Sequence, residues 1–374
     1  MKHLRYVLVF ALLILVVAAC GPATTPGAGS TSSTSGNTAP KDKVTLQSKW
    51  VAQAQFAGYY AAKVKGYYDA ENLDVTIRPG GPDIIPEQVV ASGQAQFGID
   101  WLPSLLSSRE SGSPLVNIAQ VFQKSGMLSI RWKDIGLKGV DDYRGKKVAV
   151  WLGGNEFELY ATLAKHGMDP QKDLTIVSQP FDMNLLLNRD VVAAAAMTYN
   201  EYAQVLEVKN PKSGQLYQPS DLEIVDFNQE GTAMLEDGIF STQAFLNDAK
   251  NQDIAVRFVR ASLKGWIYCR DNVSDCVDIV LKQGPTLPKG HQTWQMNEIN
   301  KLIWDGQHIV GIMDDKQFQQ TADIALKYGV IKKAADKAAY TTQFAQKAVD
   351  SMKDVDTLGK NYKPIPVSLT EGGK

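Results

Sequence analysis

Histidine and cysteine are scarce in this chain, with four and three among 374 residues. His3, His166, His291 and His308 pair with no Ser or Cys nucleophile, and neither a G-x-S-x-G elbow nor an H-E-x-x-H pair occurs. Nucleophilic and metal-dependent catalysis therefore lack a constellation. No His or further Cys sits at zinc-like spacing, so no metal is expected. No G-x-G-x-x-G fingerprint supports a dinucleotide, and no cofactor is expected. Basic residues show no excess, 39 against 40 acids, so nucleic acid is not an expected partner. The apolar run Val7–Val17 is too short to span a bilayer comfortably.

That run nevertheless has a clear reading. Lys2, His3 and Arg5 precede it, and Val17-Ala18-Ala19-Cys20 follows it. This is the pattern of a secretory signal ending in a lipobox, with Cys20 as the lipidated residue. A lipid on Cys20 would tie a globular body to the outer face of a cell membrane. Residues 21–43 are rich in Gly, Ser, Thr, Ala and Pro without apolar period, which predicts a disordered tether. An exported chain meets oxidising conditions, so Cys269 and Cys276 are expected to form a disulfide between the end of one helix and the start of the next.

From Lys43 onward strand-like and helix-like segments alternate. Val44–Leu46, Leu73–Ile77, Ala95–Ile99 and Leu115–Phe122 read as strands, with helices over Phe56–Asp69, Glu87–Ala91 and Leu102–Arg109. The rhythm restarts near Met127. Strands are expected at Lys147–Trp151, Leu174–Val177, Val191–Met197 and Leu222–Asp226, with helices at Glu156–Ala164 and Asp182–Leu187. From about Gln243 the chain reads as largely helical. This is an α/β protein of two lobes with mostly parallel sheets. The first lobe takes residues 44–126 and 231–374, and the second takes 127–230. Strands near Gln120–Ser129 and Gly231–Phe240 join them into a hinged clamp, with a ligand cleft between.

In open α/β sheets ligands lie outside the carboxyl ends of strands. The stretch Lys49–Tyr60 follows the first strand and carries four aromatics and two side-chain amides. Trp50 and Gln53, at the strand–helix junction, are read as cleft residues, and Phe56 and Tyr60 join them as candidates. Tyr59 reads as core. Asp83 in Pro79-Gly80-Gly81-Pro82-Asp83, and Asp100-Trp101 at a strand end, are further candidates; a helix cap and a core indole would explain the latter pair equally well. Gly153-Gly154-Asn155 could hold an anion on its backbone or simply turn into a helix. Thr198-Tyr199-Asn200-Glu201 ends an entirely apolar strand, which favours a site at Tyr199, Asn200 and Glu201. Trp266, Trp294, Met296 and Trp304 read as structural.

The pattern Trp50-x-x-Gln53-x-x-Phe56-x-Gly58-x-Tyr60, followed by Gly66-Tyr67-Tyr68 and Leu73-Asp74-Val75, resembles the periplasmic substrate-binding proteins of ABC importers related to pyrimidine and sulfonate carriers. That family also includes fungal thiamine-pyrimidine synthases, in which a histidine supplies ring atoms and a cysteine-rich segment accompanies iron. Phe56 stands where that histidine is expected, and no cysteine-rich segment exists. The departure implies a binding protein rather than an enzyme. Gln53–Tyr60, Pro79–Asp83, Met197–Tyr202 and Trp294–Glu298 are most similar to the riboflavin-binding lipoproteins of the family. The resemblance implies a type II periplasmic-binding-protein fold, riboflavin as ligand and a membrane permease as partner, with a thiamine-precursor pyrimidine as the alternative ligand. An isoalloxazine ring would stack between Trp50 or Trp101 and Tyr60 or Tyr199. Its dioxopyrimidine edge would meet Gln53, Asn155 or Asn200, and its ribityl hydroxyls Asp100, Asp83 or Glu201.

Overall fold

The computed structural model describes residues 40–374. The expected signal, Cys20 and nearly all of the expected tether lie outside the described residues. Ten strands form two five-stranded sheets. The first contains β1 (Asp42–Gln47), β2 (Leu73–Arg78), β3 (Phe97–Asp100), β4 (Leu115–Gln120) and β10 (Gly238–Thr242), in the order β2-β1-β3-β10-β4. The second contains β5 (Met127–Trp132), β6 (Lys147–Val150), β7 (Thr175–Ser178), β8 (Ala193–Met197) and β9 (Leu222–Asp226), in the order β7-β6-β8-β5-β9.

The two sheets share one design. β1 pairs in parallel with β2 and β3, and β6 with β7 and β8. β10 runs antiparallel to β3 and β4, and β5 antiparallel to β8 and β9. Four of the five strands in each sheet therefore run the same way, as expected, and β10 and β5 are the antiparallel exceptions. The cause is the route of the chain. Residues 121–126 carry it from the first sheet to the second and residues 227–237 carry it back. Each crossing leaves and arrives at the carboxyl edge of the parallel strands, so the strand that follows must run back along its sheet.

The expected helix Phe56–Asp69 is divided. A 3-10 turn covers Ala54–Phe56, a helix covers Ala57–Val64, and a short helix covers Tyr67–Ala70. Gly66, at φ 75, is the break, since only glycine takes that left-handed conformation at no steric cost. Helix Ala57–Val64 packs against the long helix Ala249–Asp271 at very short range. A Cβ on Gly265 would lie 1.9 Å from the Gly58 carbonyl oxygen, so no side chain fits between the two backbones. This contact draws the start of the first lobe onto its carboxyl-terminal helices. Cys269 and Cys276, both fully buried, are disulfide-bonded and join helix Ala249–Asp271 to helix Val273–Gln283. Among the described residues no helix is long and apolar enough to cross a membrane, and no group of three or more His, Cys, Asp or Glu could hold a metal ion.

Candidate functional site

The carboxyl ends of β1 and β3 face those of β6 and β8 across a cavity. The first lobe contributes Lys49, Trp50, Gln53, Gln55 and Trp101; the second contributes Trp151, Asn155, Met197, Tyr199, Asn200 and Glu201. Each side chain sits where a strand has just ended and the chain turns toward a helix, so the parallel strands aim their first loop residues at one point. The cavity is narrow. Its volume of about 30 Å³ has room for one or two water molecules. A ring ligand therefore needs the lobes to part before it enters.

The walls are aromatic. Trp50 meets Trp151 edge-on across the lobes, with centroids 6.2 Å apart, and meets Phe181 in the same manner at 5.9 Å. Trp101 donates its indole N–H to Asp237 at 3.0 Å, and Tyr199 is buried opposite. The polar groups form a chain: Gln53 Nε2 donates to Gln55 Oε1 at 2.8 Å, and Gln55 Nε2 donates to Asp237 at 3.0 Å. On the other wall, Glu201 accepts the Met197 N–H at 3.0 Å and the Asn200 Nδ2 at 2.6 Å. The Tyr199 hydroxyl, the Asn155 amide and Gln53 Oε1 hydrogen-bond no other described residue, which leaves them for a ligand.

Beneath the cavity lies a buried charge cluster. Lys49 Nζ is 2.9 Å from each carboxylate oxygen of Asp100. Burial disfavours the charged ammonium, but Asp100, Glu87 and Asp237 outweigh that effect and hold the Lys49 pKa above its ordinary value. Burial, reinforced by Asp100, pushes the Glu87 carboxyl well up. Burial also raises Asp237 to about 7, against its hydrogen bond from Gln55, and Glu201 to about 7. One cation thus faces four acidic groups, and the cavity carries no net positive charge.

Of the residues expected at the site, Trp50, Gln53, Trp101, Asn155, Tyr199, Asn200 and Glu201 line the cavity. Asp100 stands behind it as the partner of Lys49. Phe56, Tyr60 and Asp83 do not line it. Phe56 is fully buried at the end of the 3-10 turn, Tyr60 is buried in the core on helix Ala57–Val64, and Asp83 is exposed in a turn. The Pro79–Asp83 stretch has a different role: Gly80 packs on the Ser48 and Lys49 backbone, where a Cβ would lie 2.3 Å from the Ser48 oxygen, and its N–H bonds the Trp50 carbonyl at 2.8 Å. At Gly153-Gly154-Asn155 the Gly154 N–H is taken by Glu156 Oε2 at 2.8 Å, which fits the turn and not the anion cradle. Gly154 instead brings the lobes together. Its carbonyl accepts from Ser104 Oγ at 2.8 Å, and a Cβ there would lie 2.5 Å from that oxygen. Lys49, Gln55, Trp151 and Met197 are lining residues that the site reading of the sequence missed.

The family described as NMT1/THI5 like matches residues 53–274. The chain is 26% identical over 361 residues to the riboflavin-binding protein RibY of Chloroflexus aurantiacus, covering 92% of this chain and 98% of that protein. It is 22% identical over 130 residues to a 4-amino-5-hydroxymethyl-2-methylpyrimidine phosphate synthase of Schizosaccharomyces pombe, covering 34% of this chain and 37% of that one. Among solved structures, the alkanesulfonate-binding protein SsuA of Xanthomonas axonopodis pv. citri superposes with a TM-score of 0.61 at 15% identity, over 82% of this chain and 100% of SsuA. The nitrate-binding protein NrtA of Synechocystis gives 0.62 at 15% identity, over 84% and 89%. These likenesses identify the two-lobe type II periplasmic-binding-protein fold. The family match opens at Gln53 in the cavity wall and runs through both sheets, so the chain belongs to the NMT1/THI5-like family.

Proposed function

We propose that this protein is the extracytoplasmic substrate-binding component of an ABC importer, and that it captures riboflavin and passes it to a membrane permease. The observation that carries the reading is the cavity wall: three indoles and a tyrosine from two lobes, with unpaired amide and hydroxyl groups between them. Such walls suit a large flat heterocycle with a hydrogen-bonding edge. The charge cluster supports an uncharged ligand. Lys49 is already neutralised by Asp100, and Asp237 and Glu201 lie close by, so a sulfonate or nitrate would meet no free positive charge. The likeness to RibY along nearly the whole chain agrees with this choice.

The mechanism is closure. Ligand contacts both lobes, shifts the population toward the closed form about the crossings 121–126 and 227–237, and that form docks on the permease. No reaction is catalysed. Cys20 carries the lipid that holds the protein at the outer face of the membrane, and the tether ends before Asp42, because Asp42 and Lys43, expected within it, open strand β1. The narrowness of the cavity favours one second reading, a thiamine-precursor pyrimidine, whose single ring is smaller.

The test is a titration of the purified chain lacking residues 1–20 with riboflavin, followed by flavin fluorescence. Saturable quenching is expected. Silence toward riboflavin with thermal stabilisation by the pyrimidine would transfer the reading to that ligand. Silence toward both would refute it.

A further inference from the structure

A second cavity adjoins the first. It measures about 280 Å³ and shares Trp50, Gln53 and Asn200 with the inner one. These three side chains therefore form a partition with a face on each side. Lys49, Trp101 and Tyr199 on the inner walls are 5%, 3% and 2% exposed. The shared partition is the boundary across which a substituent on a ring held there would reach the outer cavity.

The outer cavity is built differently. Its far wall is helix Lys289–Ile303, which reaches across from the first lobe. Gln292 and Gln295 on that helix both accept the Ala54 N–H, at 2.7 and 2.8 Å. His291 on the same helix meets Glu207 of the second lobe at 2.9 Å through Nδ1 and Asn200 at 2.8 Å through Nε2. Glu207, His291 and Gln292 are all more than nine-tenths buried, yet they line open space. Gln292 Nε2 bonds no described residue, and the Glu207 carboxylate retains lone pairs beyond those used by His291. Phe181 and Leu287 supply an apolar edge. An amide donor and a carboxylate acceptor thus lie on one side, with carbon surface at the edge.

We propose that this outer cavity is a subsite for a polyhydroxylated chain attached to the ring that occupies the inner cavity. The proposal rests on the flavin reading above and assigns the ligand's two halves to separate chambers, the ring inside the partition and the polyol outside it. Each hydroxyl both donates and accepts, which matches a wall of carboxylate and amide groups and not one of cations alone. Of the three carboxylates expected from sequence to meet the chain, Asp83 is on the surface, Asp100 is engaged by Lys49, and Glu201 lines the inner cavity, where it accepts from the Met197 N–H and from Asn200. Glu207 and Gln292 take that place.

Lumiflavin carries the same ring with a methyl group in place of the ribityl chain, which separates the two halves experimentally. Affinities of riboflavin and lumiflavin would be measured by fluorescence for the unaltered protein, for Glu207→Gln and for Gln204→Trp, which fills the outer cavity with an indole. The unaltered protein is expected to favour riboflavin by about tenfold or more, from one or two hydrogen bonds to a charged group. Both variants are expected to erase most of that preference while binding lumiflavin within about twofold of the unaltered protein. Retained lumiflavin binding shows that a variant is folded. Equal affinity of the unaltered protein for both flavins would overturn the subsite and leave the flavin reading standing. Binding of neither would overturn both. A riboflavin preference that survives both variants would also overturn the subsite, because the chain would then be recognised elsewhere.

Discussion

Substituting Glu158 by Gln should make the protein less sensitive to alkaline pH, for a reason that can be counted in hydrogens. Ser125 Oγ lies 2.9 Å from Glu158 Oε2 and 2.8 Å from Glu236 Oε1, and it accepts the Met127 N–H at 3.0 Å. One hydroxyl has one hydrogen to donate, so both carboxyl contacts are satisfied only when one of the two acids carries a proton. Burial raises the Glu158 pKa from 4.5 to about 8, and burial together with Glu158 pushes Glu236 well up. Between those two values the folded chain holds a proton that the unfolded chain releases. Stability is therefore fully present below about pH 4.5 and is lost as pH rises through about 8. A shift of that size sets a ceiling of about 5 kcal/mol. A glutamine reproduces the protonated arrangement permanently: its oxygen accepts from Met234 N–H, as Glu158 Oε1 does at 2.6 Å, and its amide donates to Ser125. The cluster ties both crossings to helix Phe157–Lys165, so it bears directly on the hinge. Calorimetric Tm should fall between about pH 5 and about pH 9 for the unaltered protein and fall by less for Glu158→Gln, in which Glu236, Asp237 and Glu201 still titrate. Even a quarter of the ceiling corresponds to about 1–2 °C for a chain of this length. Parallel Tm curves for the two proteins would refute the shared proton.

Two other substitutions probe the cleft. Trp50→Ala removes the indole that faces Trp151 and Phe181, and riboflavin affinity should fall about tenfold or more while the folded fraction by circular dichroism is unchanged; unchanged affinity would dismiss the aromatic wall. Gly154→Ala places a Cβ 2.5 Å from Ser104 Oγ at φ 123, so the closed state should weaken by about 1–3 kcal/mol, read as lower riboflavin affinity and a larger radius of gyration by X-ray scattering with ligand present.

The fold was legible wherever the local sequence dictates it. Leu73–Ile77 alternates and is β2; the alanine-rich run after Val191 has no polar residue to place in water and is the central strand β8. Direction was less legible. Gly238–Thr242 reads as a joining strand, and nothing in its own five residues says that it runs against its neighbours. That follows from the path of the chain after the second lobe is complete, which is a tertiary fact.

The same distinction separates the site residues that were found from those that were missed. Trp50, Asn155 and Tyr199 follow strands directly, and their position is given by the strand that delivers them. Lys49 also follows a strand, but nothing adjacent to it in sequence marks it as a cavity residue. It is buried because Asp100, 51 residues later, ends the neighbouring strand and takes up its ammonium. Gln55 is fixed by Asp237, 182 residues away on the returning crossing. Trp151 reads as the last apolar residue of a strand, yet the strand stops at Val150 and the indole turns to the cleft. Phe56 and Tyr60 differ in the opposite sense: they lie near Trp50 in sequence, but both are buried in the core beside Tyr59, whose ring meets Trp266 of helix Ala249–Asp271. A cleft between lobes is assembled from partners far apart in the chain. A residue whose place depends on its own strand can be read from sequence, whereas one whose charge or orientation depends on a distant partner shows its role only when that partner is in position.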